Sequence, residues 1–326
     1  MTPYSKPYFT LDQQVALLVS RGMSISDAEK AKMCLARIGY YRLSAYWHPF
    51  RKSTTAQDPA TGKSITLIAD DFREETDFST VLDLYVYDKN IRLLVMDALE
   101  RIEIAVRTNI ALLLGQKDPK AHRNPKLLHG NFARRPKKAG NSNTRHQEWL
   151  RRQDNKFLDS RDEFVKHFKS KYAGENLPIW MDVELWDFGS LSHFFGGLNV
   201  KDQDYIASLY NVPDGQVFKT WIHCLNDIRN ICAHHSRLWN KPLVNQPIWP
   251  RTGVLPEFDH IAQNGDSQRR LYAALAIMTW LIRYINPTST WRDRLVVQVD
   301  LMPKSKHISL QSAGFPVSWK NEALWI

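Results

Sequence analysis

The segment Asp227-Ile-Arg-Asn-Ile-Cys-Ala-His-His-Ser-Arg-Leu-Trp-Asn240 sets Arg229, Asn230, His234 and His235 inside an otherwise apolar helical pattern. These residue types suit proton transfer beside a phosphate. Histidine, with a reference pKa of about 6.5, accepts or donates a proton near neutrality, and arginine stays charged while offering a planar fork to phosphate oxygens. Upstream, Phe218, Ile222, Leu225, Ile228 and Cys232 recur at steps of three or four, which is the pattern of a helix with one face in a core. Asn226, Asn230 and His234 run beside that face at i, i+4 spacing. Buried amides and imidazoles cost free energy unless each finds a partner, so such a stripe needs a reason.

Spacing constrains the roles. In an ideal helix Arg229 and His234 are about 140° apart in azimuth and about 7.5 Å apart in rise. They serve one phosphate only if Arg229 reaches around, if the helix ends between them, or if a two-fold mate brings a second Arg and His into the same cleft. His234 reads as the general acid/base, Arg229 as a phosphate clamp, and Asn230 as the residue that orients the imidazole or touches substrate. His235 points about 100° from His234 and reads as a packed or capping residue, with substrate contact as the alternative.

Metal chemistry fits less well. The chain has three cysteines, Cys34, Cys224 and Cys232, too few for a disulfide framework and suited to a reducing compartment. On one helix Cys224 and Cys232 are separated by about 12 Å of rise, whereas zinc ligands converge to about 2.0 to 2.3 Å from one ion. A zinc site built from these cysteines with His234 and His235 therefore fails, and the thiols read as small buried side chains. No cluster resembles a two-metal site, which disfavours DNA cleavage. No metal or other cofactor is expected.

Charge placement says more than its sum of +10 over 326 residues. Residues 117–171 carry sixteen Lys and Arg against six Asp and Glu, while the remainder is balanced at 28 of each. A concentrated basic patch is the footprint of a polyanion partner, and a solvated basic loop is the plain alternative. The candidate RNA contacts are Arg134, Arg135, Lys137, Lys138, Arg145, Arg151 and Arg152. The amino terminus lacks the pattern of a secretory signal, and the apolar run Leu271–Ile282 is too short for a membrane span. A cytoplasmic protein without membrane contact is expected.

The elements that must position the motif are helical. Capping boxes at Thr10–Gln13 and Ser26–Glu29 start the first two helices, and Gly22 closes the first. Residues 54–70 read as a loop, with room for a short hairpin around Thr61-Gly62. From Asp77 to Leu114 no Gly or Pro interrupts a long helix. On it Asp88/Arg92, Asp97/Arg101 and Glu103/Arg107 stand at i, i+4 and are expected as weak surface ion pairs. Glu103 is the exception, because Leu99, Val106 and Ile110 share its face. The basic segment opens as a long exposed loop, and then Trp149, Phe157, Phe164, Phe168 and Tyr172 mark a packed helical face. Further helices are expected over 177–197, 201–210, 214–239, 268–285 and 291–302. The fold class is all-α. Its expected division is an N-terminal helical region 1–70, a helical domain 71–290 carrying the basic insertion 117–171, and a C-terminal helix and tail 291–326.

These residues also carry a family likeness. Arg229-Asn230-x-x-x-His234 resembles the Arg-x(4 to 6)-His motif of the HEPN superfamily. The longer motif string resembles the bacterial abortive-infection proteins of the AbiD/AbiF type, together with Gly39-Tyr-Tyr-Arg-Leu-Ser44, Tyr46-Trp-x-Pro-Phe50, Glu100-Arg-Ile-Glu103 with Arg107, Leu177-Pro-Ile-Trp180 and Gly314-Phe-Pro. The resemblance implies a HEPN-like helical bundle and a metal-independent endoribonuclease of phage defence or a toxin system, with a homodimeric composite site. It offers Glu103, Arg107 and, more weakly, Arg42 as residues supporting that site, and it admits a structured non-coding RNA as partner. The alternative is a non-catalytic RNA-binding or RNA-sequestering protein, in which the basic segment carries the binding.

Overall fold

The computed structural model describes residues 3, 5, 7–59, 61–134 and 143–326. Among them helices dominate, and the named strands are those of one hairpin. The chain folds as two compact units, residues 1–92 with 295–312 and residues 93–294 with 313–326. The division falls inside the long helix, whereas the sequence reading sets it at 70/71 and 290/291. A continuous helix carries no turn residue or composition shift at such a boundary, so nothing local announces it.

The first unit opens with α1 (Leu11–Ser20), α2 (Ala28–Ile38) and α3 (Tyr40–Trp47). Thr10 and Gln13 form the expected capping box, each side chain accepting from the other's backbone N–H. At α2 the cap is Asp27 rather than Ser26, with its carboxylate accepting from the N–H of Lys30 at 2.9 Å. Strands β1 (Arg51–Gln57) and β2 (Ser64–Phe72) pair antiparallel on either side of Gly62, so the stretch read as a loop is the hairpin around Thr61-Gly62 that the sequence leaves room for, and a longer one than expected. Ile65, Leu67 and Ile68 are all exposed. With little of the ribbon buried, its residues do not alternate apolar and polar, which is the sequence signal of a half-buried strand.

The helix α4 (Phe78–Gly115) follows, capped by Asp77, whose Oδ1 accepts from Ser79 and Thr80 N–H at 2.8 and 3.2 Å. Asp88 and Arg92 correct the expectation of surface ion pairs, since both are buried. Tyr46 Oη donates to Asp88 Oδ2 at 2.7 Å, and Arg92 donates to Tyr46 Oη at 3.0 Å and to Asp88 itself. The pair Asp97–Arg101 does stand part-exposed, with Arg294 also on Asp97 at 2.6 Å.

The second unit holds the rest of α4, the short α5 (Gly130–Ala133), α6 (Arg145–Asp159), α7 (Glu163–Lys171), α8 (Ile179–Asp182), α9 (Phe188–Phe195), α10 (Val200–Ser208), α11 (Gly215–Ala233), α12 (Asp259–Ala262), α13 (Gly265–Gln268), α14 (Leu271–Ile285) and the start of α15 (Trp291–Asp300). The helix expected over 177–197 is broken at Trp186, after which Asp187 caps α9 by accepting from Ser190 N–H at 2.6 Å. Trp149 of α6 meets Trp186 and Phe194 with ring centroids 5.0 and 4.7 Å away, so the later part of the basic segment is packed into this unit. Leu271 to Ile282 of α14 are buried throughout. Among the described residues no helix is long and apolar enough to cross a membrane.

Candidate functional site

The motif lies at the end of α11. Asp214 starts the helix by accepting from Val217 N–H at 2.7 Å, and Phe218, Trp221, Ile222, Leu225, Ile228 and Cys232 bury one face. The helix stops at Ala233, six residues short of the expected Trp239. His234 is its C-cap. His235 N–H reaches back to Cys232 O at 3.0 Å and Ser236 N–H to Ile231 O at 2.9 Å, which closes the last turn. This closure requires a left-handed residue after the cap, and His235 supplies it with φ of 54°. His235 is thus part of the cap by its backbone, while its side chain is exposed rather than packed.

The helix continues through Ala233 and His234 N–H still donates to Asn230 O at 3.0 Å, so His234 keeps its helical place relative to Arg229 and the two side chains leave α11 on different faces. Arg229 and Asn230 stand half-buried on the last turns, and His234 is exposed where the backbone leaves the helical path. Arg229 also acts on Glu103 of α4. Burial raises the Glu103 carboxyl above its usual range, and the charges of Arg107 and Arg229 oppose that rise. Arg107 donates to Glu103 in an ion pair whose side chains are each 15% exposed. The structure therefore brings Glu103, Arg107 and Arg229 into one electrostatic cluster joining α4 to α11. Arg42 is exposed on α3 in the first unit.

Asp187, at the start of α9, also acts on Glu103. Burial favours protonation of Asp187, but Lys156 at 2.6 Å and the Ser190 hydrogen bonds outweigh it and hold the carboxyl below its usual range. Lys156 shows how part of the basic segment's charge is taken up. Lys117 pairs with Asp202, Lys120 with Glu175, and Arg123 with Asp154 at 2.8 Å. Three of these four acids lie outside residues 117–171, so the excess counted along the sequence is partly neutralised in space.

Among the candidate RNA contacts, Arg134, Arg145, Arg151 and Arg152 are exposed. Arg135, Lys137 and Lys138 lie outside the described residues. Cys224 and Cys232 are buried, and burial pushes the Cys224 thiol up. Among the described residues no group of three or more His, Cys, Asp and Glu is placed to hold a metal ion.

The sequence reading stops the polar stripe of α11 too soon. Lys219 and His223 continue the series Asn226, Asn230 and His234 toward the helix start, and they line a cleft of about 420 Å³ between α9 and α11. The signal is present as helical spacing, but it becomes a feature only when α9 is known to lie opposite. A family model described as Abi-like protein matches residues 33–240. That span ends on Asn240, the last residue of the motif string, and leaves out only Gly314-Phe-Pro among the quoted segments. No curated protein and no solved structure matches the chain.

Proposed function

Because the chain belongs to the Abi-like protein family, whose members act in abortive infection against phage, we propose that it is a metal-independent endoribonuclease of the HEPN type. The observation that carries this reading is the C-terminal end of α11, whose last turns carry Arg229 and Asn230 and whose cap is His234. It presents an exposed imidazole on His234 and a half-buried guanidinium on Arg229, a general acid/base and a phosphate clamp of the kinds that metal-free RNA cleavage uses.

In this reading His234 takes the proton of a ribose 2′-hydroxyl as its oxygen attacks the adjacent phosphorus. The bond to the 5′-oxygen breaks, that oxygen takes a proton from a general acid, and the products are a 2′,3′-cyclic phosphate and a 5′-hydroxyl. Arg229 neutralises charge on the non-bridging oxygens, and Asn230 orients the imidazole or the substrate. Glu103, itself paired with Arg107, holds Arg229 in place. A homodimer would supply a second histidine as the acid, and a cytoplasmic location and a structured RNA partner accord with the same role.

The test is cleavage of single-stranded RNA in EDTA by purified protein and by His234→Ala. The variant is expected to lose about 10² to 10⁴ in rate while keeping its melting behaviour, since the side chain is exposed. Unchanged cutting would refute the assignment. The exposed Arg134, Arg145, Arg151 and Arg152 favour one other reading, an RNA-binding protein that does not cut. It would bind RNA with strong salt dependence in both forms and release no cyclic phosphate.

A further inference from the structure

The cleft between α9 and α11 is walled by two facing stripes. From α9 come Gly189, Ser192, His193 and Gly196, at helical steps along one face. From α11 come Gln216, Lys219, His223 and Asn226. On an ideal helix these four and the downstream Asn230 and His234 fall within about 80° of azimuth. The cleft therefore shares one face of α11 with Asn230 and His234, with Lys219 about 16 Å along the axis from Asn230.

The lining is cationic. Arg145 and Lys219 border the cleft with His129, His193 and His223, and among the described residues no Asp or Glu lines it, although Asp187 Oδ1, held by Lys156, stands behind Gly189 at the Asn226 end. Among the described residues neither Arg145 nor Lys219 is held in an ion pair. The two glycines that close α9 make the space. A Cβ on Gly196 would stand 3.2 Å from Lys219 Cε, so the lysine stem lies across that glycine. A Cβ on Gly197 would stand 2.2 Å from the Phe132 ring, which packs there edge-on to His193 at 5.5 Å. At the motif end, Asn226 Oδ1 is buried without a hydrogen-bond partner among the described residues. That acceptor leaves a hydroxyl or amino donor to be supplied from outside.

We infer that this cleft binds the single-stranded RNA chain beside the scissile phosphate, with Lys219 and Arg145 on backbone phosphates and Asn226 accepting from a ribose or base donor. This rests on the ribonuclease reading for the identity of the polymer. The chemistry follows from the lining: two cations outside any ion pair among the described residues for phosphates, histidine and amide groups for sugar and base edges, and a face of α11 that continues to Asn230 and His234. Residues 134 and 145, which flank the centre of the basic segment, stand at this cleft and the pocket next to it.

The experiment measures binding rather than cutting. Fluorescently labelled oligouridylate is titrated into full-length His234→Ala protein over a salt series, with Lys219→Gln and Arg145→Gln added singly and together. Each substitution is expected to weaken binding by about threefold or more and to lower the salt slope by about 0.7. Lys219→Arg is expected to restore both. Arg145 is exposed on the first turn of α6, so its variant keeps the test valid if the Lys219 change disturbs packing. Affinity and slope unchanged in the double variant would overturn the inference, as would the absence of RNA binding by the parent. Failure of the ribonuclease reading is distinct, because wild-type protein would then bind without cutting while the cleft variants still weaken binding. An oligodeoxyuridylate that binds as tightly as RNA would remove the role given to Asn226 at the ribose.

Discussion

His235 holds, at the end of α11, the backbone place that Gly22 holds at the end of α1. In both helices the residue after the cap donates to the carbonyl three back, and the next residue donates to the carbonyl five back. Gly22 has φ of 91° and His235 has φ of 54°. Glycine adopts this region freely, whereas for a residue with a Cβ it costs about 1 to 2 kcal/mol. The fold tolerates that cost at the one helix end that carries the motif.

His235→Gly is therefore expected to raise stability by about 1 kcal/mol net, after the extra entropy of glycine in the unfolded chain. Urea or thermal unfolding measures this, and His235→Val should shift the other way. A glycine variant no more stable than the parent would mean that the imidazole makes contacts worth as much as the strain.

Glu103 is expected to act through Arg229. Glu103→Gln should slow RNA cleavage by about tenfold. In a Glu103→Gln/Arg229→Gln double variant the two losses should not add, because both substitutions remove the same interaction between Glu103 and Arg229. Additive losses in kcat/KM would separate the two residues.

The buried cluster of Tyr46, Asp88 and Arg92 gives a test confined to stability. Asp88→Ala leaves a buried guanidinium without its carboxylate and is expected to cost about 3 to 5 kcal/mol. Tyr46→Phe removes two hydrogen bonds to charged groups, one to Asp88 and one from Arg92, and should cost at least about 1.5 to 3 kcal/mol. Chemical denaturation reads both. Losses of only a few tenths of a kcal/mol would return this pair to the surface class in which the sequence reading sets it.

A pH dependence follows from Asp182 and His122, 3.7 Å apart and both buried. Burial pushes Asp182 up to about 6 from an ordinary 3.8, against the hydrogen bond from Trp186. Burial and neighbouring cations push His122 down to about 3 from 6.5. Between about pH 4 and 6 the folded chain keeps a proton on Asp182 that the unfolded chain has lost, so this group stabilises the fold as pH falls through 6. His122 does the opposite, since below about 6.5 the unfolded chain gains a proton that the folded chain refuses until about 3. The two slopes offset each other in the overlap. Asp182→Asn removes the first, so it should be up to about 3 kcal/mol more stable than the parent at neutral pH, and that advantage should vanish near pH 4. Unfolding curves across this range check it, and an advantage that persists in acid would contradict the assignment.

The features legible along the chain are local. The α1 capping box, the 38-residue α4 and the apolar face of α11 depend on residues within a turn or two of one another, and those patterns are written along the chain. The motif and the family likeness are local in the same sense. Tertiary structure decided what depends on distant neighbours. Asp88/Arg92 and Asp97/Arg101 have the same types and spacing, yet one pair is buried under Tyr46 and the other faces solvent beside Arg294. Lys156 and Arg145 belong to one basic segment, yet only Lys156 meets a carboxylate from another part of the chain. Desolvation and ion pairing are set by what lies across the packed interface, and helical spacing along a single element cannot encode that. The stripe on α11 shows the division within one helix: its period was legible from the residues, and its meaning as a cleft wall required Gly196 and His193 of α9 opposite.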